Sequence, residues 1–98
     1  MKGQKQMKEK CPLCDLEANY NFVEGDGNKR KKFNCPKCKM FVITDTAEGT
    51  LNTSMSEYKD EFSKACSELS DRYLMHIYVP PIETNIPLKA VPEERSHW

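Results

Sequence analysis

At 98 residues, with 38% apolar and 31% charged residues and a formal net charge of zero, the chain suits one domain with a small buried core. No apolar run approaches the roughly 18 residues of a membrane-spanning helix, and the charge balance excludes a strongly basic nucleic-acid binder. Five cysteines, an odd number, fit a secreted disulfide framework poorly.

Residues 1–10, MKGQKQMKEK, carry positive charge with no apolar run behind it. They read as a flexible basic lead-in and not as a signal peptide, and the chain is expected to be intracellular, in the cytoplasm. CPLC follows at Cys11–Cys14, and CPKC at Cys35–Cys38, twenty residues later. Such spacing lets four sulfurs converge on one tetrahedral metal ion, most often zinc. Pro12 and Pro36 fix φ in each turn. A glycine commonly follows such a pair because the chain turns left-handed there; here the followers are Asp15 and Lys39.

Between the pairs, ANYNFVE (18–24) alternates polar residues with Tyr20 and Phe22, Gly25-Asp26-Gly27-Asn28 marks a turn, and KRKKFN (29–34) leads back. This predicts a β-hairpin that brings the cysteine pairs together. KMFVITD (39–45), rich in β-branched and aromatic residues, reads as a third strand. Residues 46–53 read as a loop. Ser54-x-x-Glu57 then signals a helix start, and Met55, Tyr58, Phe62, Ala65, Cys66, Leu69 and Tyr73 give one apolar face on a helix to about residue 77. YLMHIYV (73–79) is apolar on all sides and fits a final buried turn or a short strand. Residues 80–98, with Pro80, Pro81, Pro87 and Pro92, read as an extended tail.

The expected fold is a small α+β protein: a three-stranded antiparallel ribbon over 11–45, a loop and amphipathic helix over 46–79 packing on the ribbon or a partner, and a tail over 80–98. The two Cys-Pro-x-Cys knuckles resemble those of the zinc-ribbon superfamily, in which they clamp one zinc at the end of a small antiparallel sheet. The resemblance covers residues 11–45. It implies Cys11, Cys14, Cys35 and Cys38 as ligands of one structural Zn²⁺, with no open position for catalysis. The set also resembles rubredoxin, whose knuckles hold iron for electron transfer but favour the glycines absent here. Redox-active Cys-x-x-Cys pairs are a further alternative, although neither pair precedes a helix. Cys66, on the apolar helix face, reads as a small buried hydrophobe.

Charge is uneven along the chain. Residues 1–45 hold ten Lys/Arg against six Asp/Glu, and residues 46–98 hold five against nine. No acid–base pair, phosphate loop or nucleophile triad is visible, so the chain is not read as an enzyme. The leading expectation is an accessory or regulatory nucleic-acid-binding module. In it Lys29, Arg30, Lys31, Lys32, Lys37 and Lys39 contact phosphate, and Tyr20 or Phe22 stack on bases. The alternative is a protein-interaction adaptor, or self-association through the helix, using Tyr58, Phe62, Leu69, Tyr73, Ile82, Ile86 and Trp98. A third reading is rubredoxin-like electron transfer. No membrane partner or small-molecule substrate is indicated.

Overall fold

The computed structural model of the chain describes residues 7–23, 30–53, 56–80 and 88–97. The strands are β1 (Met7–Lys10), β2 (Glu17–Val23), β3 (Arg30–Cys35), β4 (Lys39–Thr44), β5 (Tyr73–Tyr78) and β6 (Lys89–Glu94). Between β4 and β5 lie α1 (Asp45–Thr53) and α2 (Lys59–Ser67), with a 3-10 turn, Ser56–Tyr58, leading into α2. All six strands form one sheet in chain order. Neighbours run antiparallel except β4 and β5, which are parallel. A parallel pair requires a crossover, and α1 and α2 supply it.

This corrects the expected three-stranded ribbon with one helix and an extended tail. The ribbon strands are present as β2, β3 and β4, but the sheet continues on both sides of them. Part of the expected lead-in is β1, with Met7 opposite Tyr20 and Glu9 opposite Ala18. Its four polar-alternating residues are too few to signal a strand on their own; the open edge of β2 and an ion pair from Glu9 to Lys31 at 3.0 Å hold it. The tail contributes β6, whose Pro92 stands opposite Met75. Proline lacks a ladder donor and is tolerated on an edge strand.

The expected loop at 46–53 is helix α1. Gly49 and three threonines give it low intrinsic propensity, but Ala47 and Leu51 are fully buried one turn apart. The Thr44 hydroxyl accepts the Ala47 N–H at 3.1 Å, a cap at the start of the helix. Packing decides the conformation here. The expected long helix is shorter at both ends: α2 stops at Ser67, and a turn in which the Tyr73 N–H donates to the Ser70 carbonyl leads into β5. Residues 73–78 are apolar all round because β5 is an interior strand: Leu74, Met75 and Ile77 are all buried, on both faces. The turn read at 25–28, the cap at Ser54 and Met55 fall outside the described residues.

Both helices pack on one face of the sheet. Phe33, Phe41, Ile43, Met75 and Ile77 meet Ala47, Leu51 and Cys66 there, and Tyr20, Phe33 and Phe41 stack in a row with successive centroids 5.2 Å apart. Strand alternation turns Asn19, Asn21, Lys32, Asn34, Val42, Leu74 and His76 to the opposite face. Its β4–β5 part is closed, with Val42 and Leu74 fully buried, and His76 Nδ1 lies 2.9 Å from Glu93 Oε2. Among the described residues no helix is long and apolar enough to cross a membrane.

Candidate metal centre

The two knuckles are the turn before β2 and the turn between β3 and β4. In the first, the Cys11 N–H donates to the Leu16 carbonyl at 2.7 Å and the Asp15 N–H donates to the Cys11 carbonyl at 2.9 Å. Asp15 (φ 65°) and Lys39 (φ 67°) both occupy the left-handed region, as the sequence position predicts for the residue after each pair. Neither is glycine, and the conformation costs an L-residue about 1–2 kcal/mol. The Leu13 N–H points at Cys11 Sγ and the Lys37 N–H at Cys35 Sγ, each at 3.4 Å. Such bonds stabilise charge on sulfur.

Pairing of β3 with β4 and β2 then brings the knuckles together. Cys11 Sγ lies 3.8 Å from Cys38 Sγ, and Cys14 Sγ lies 3.4 Å from Cys35 Sγ. All four sulfurs lie within 4.8 Å of one another. With metal–sulfur bonds of about 2.3 Å, a tetrahedron has edges of about 3.8 Å, so the sulfurs are spaced to surround one ion. Cys11, Cys35 and Cys38 are buried and Cys14 is half-buried.

Without a cation, Cys11 and Cys14 hold their protons. Cys11 is pushed well above the usual thiol range by its hydrogen bond with Cys38 and then by burial. Burial, with a further push from Cys35, raises Cys14 to about 11. A bound cation inverts that preference, because the ligand is the thiolate. Metal binding therefore releases protons, and acid favours metal loss.

Two residues outside the knuckles complete the site. The Ser63 hydroxyl, on α2, lies 3.0 Å from Cys38 Sγ, and Ser63 is 2% exposed. A metal-bound thiolate carries no proton, so there the hydroxyl is the donor. The sequence signal was a small polar residue inside the apolar stripe of α2, three positions before Cys66, and the sequence reading missed it. Cys66 is buried beside the centre; burial first, and then charge on Cys11 and Cys35, raise its thiol to about 12. It is a packed core residue, as its place in the stripe predicts.

The residues expected to contact nucleic acid do not share one surface. Tyr20 packs on Phe33 on the helix-bearing face, and Phe22, 48% exposed, meets it edge-on. Lys31 is on that same face, its Nζ 3.0 Å from Glu9 and 3.2 Å from Glu48 and 5.0 Å from the Tyr20 ring centroid. Burial alone would lower the Lys31 pKa, but the two carboxylates more than offset it and the ammonium is held above its usual range. Burial raises Glu48 in spite of Lys31. Arg30 and Lys32 alternate to the other face. Lys37 and Lys39 are exposed at the second knuckle, where Lys39 Nζ reaches the Leu69 carbonyl at 3.4 Å. Lys29 lies outside the described residues.

The residues expected to meet a partner are also dispersed. Phe62 and Leu69 pack against the core, Tyr73 belongs to β5, and Tyr58 is 42% exposed. Ile82, Ile86 and Trp98 lie outside the described residues.

Comparison of the chain with family models, curated proteins and solved structures gives no match. The centre itself therefore defines the class: a protein with four cysteines placed to bind one metal ion.

Proposed function

We propose that the ion is zinc, that the centre is structural and non-catalytic, and that the chain is an accessory nucleic-acid-binding module. One observation carries the metal assignment: four sulfurs within 4.8 Å of one another, three of them on buried cysteines. An all-thiolate tetrahedral set suits zinc, and it leaves no ligand position for water or substrate. The site also suits a small, polar chain. A structural zinc contributes roughly 10 kcal/mol or more to folding, comparable with the whole stability of a domain at about 5–15 kcal/mol.

Nucleic-acid binding is supported by the excess of Lys/Arg over Asp/Glu in residues 1–45, ten against six, a surplus that the −2 charge of a zinc tetrathiolate reduces to about two. The adaptor reading draws no support from α2, because Phe62 and Leu69 are engaged with the chain's own core. Metal content and the visible spectrum of the purified protein test the centre. One colourless zinc per chain is expected, with unfolding on chelation. Red protein holding iron would replace zinc with an electron-transfer site, and a metal-free chain that stays folded would remove the centre altogether.

A further inference from the structure

The helix-free face of β1–β3 carries a set of side chains that the metal centre does not use. In one row across the strands, Lys8 stands opposite Asn19, Asn19 opposite Asn34, and Asn34 opposite Met40. In the next row, Asn21 stands opposite Lys32. Rows on one face lie two residues apart, about 6.8 Å. Asn19, Asn21, Lys32, Asn34 and Met40 line one open hollow, and Lys8, Glu17, Asn19 and Asn34 line a second beside it, Glu17 standing opposite Lys10 on β1. Asn21 lines the first, and its Oδ1 is buried with no hydrogen-bond partner among the described residues.

Resting on the nucleic-acid reading above, we infer that this face binds a short single-stranded segment, with Asn19, Asn21 and Asn34 on base edges and Lys8 and Lys32 on phosphates. Each row pairs at least one amide with one ammonium. An amide offers a donor and an acceptor side by side, the match for a base edge, and an ammonium is a point charge suited to phosphate. Met40 supplies a polarizable thioether against which a ring can lie. Unpaired bases are the better fit, because a broad, nearly flat sheet face meets the splayed edges and rings of a single strand without having to enter a groove.

The test is fluorescence anisotropy of labelled single-stranded DNA and RNA, and of a duplex of the same sequence, titrated with zinc-loaded protein at several salt concentrations. Lys8→Glu and Lys32→Glu are each expected to weaken single-strand binding about tenfold and to reduce the salt slope by about one. Asn21→Ala combined with Asn34→Ala should weaken it about five- to tenfold and leave the slope unchanged. Lys64→Glu, the same charge reversal at an exposed position on α2, serves as the reference and should have little effect. Lys8 is exposed on an edge strand, so Lys8→Glu stays informative even if Lys32→Glu fails to retain zinc. Duplex bound as tightly as single strand, or Lys64→Glu as damaging as Lys8→Glu, overturns the assignment. Wild-type binding that none of the face variants weakens overturns the face and leaves the nucleic-acid reading standing. No binding at the lowest salt overturns both.

Discussion

The two ends of the sheet are held by different physics. At the knuckle end, Cys11, Cys35 and Cys38 occupy buried positions, and on the zinc reading proposed above an ion holds them together. At the β5–β6 end, Leu74, Met75 and Ile77 are buried in a strand covered on both faces, and cohesion comes from removing apolar surface from water. On that reading the first part of the core is conditional on metal supply and pH. The second is independent of metal, and the two meet in one buried cluster. β4 belongs to both, because it pairs with β3 through the second knuckle and with β5 through the crossover.

The sharpest way to break this comparison is to remove the metal. Chelation is expected to unfold the chain in one transition, removing amide-exchange protection from β5 as well as from β2–β4. Protection retained in β5 and β6 would show two independent units. Next in size, Ile77→Ala should cost about 2–5 kcal/mol in thermal or denaturant unfolding and leave one metal per chain bound at low temperature. Loss of metal from the folded variant would contradict the division of labour. Ser63→Ala removes the hydroxyl beside Cys38 and should cost about 1.5–3 kcal/mol, read as faster transfer of the ion to a chromogenic chelator with the far-UV spectrum intact. An unchanged transfer rate would mean that α2 only packs near the centre. The smallest effect is expected at Gly49, mid-helix, with open space where a Cβ would sit. Gly49→Ala should raise stability by about 0.5–1 kcal/mol, a gain belonging to the metal-independent side.

Legibility in the sequence followed how local each cause is. The four ligands are fixed by spacing within two short turns, and so are the left-handed residues Asp15 and Lys39. β2, β3 and β4 were legible because alternation and β-branched residues act within one strand. α1 was not, because Gly49 and its threonines argue against a helix and only the burial of Ala47 and Leu51 overrides them. β1 and β6 are short, polar edge strands whose partners lie elsewhere in the chain. β5 is uniformly apolar, which fits a buried strand and a buried helix equally. Of the site, the first ring of ligands was readable and Ser63 was not, since the sequence places it 25 residues from the sulfur it meets.

The parallel pairing of β4 with β5 also bears on the order of assembly. β1–β4 are joined by short antiparallel connections, while β5 joins the sheet only after the crossover from Thr44 to Tyr73 has been made. Pairings distant along the chain form late because a longer loop must close first. During synthesis, which presents the N-terminal part first, all four ligands leave the ribosome before any residue of β5. On the zinc reading, metal capture is open to the chain before β5 has been made, and β2–β4 are then in place for the crossover and the last two strands to join.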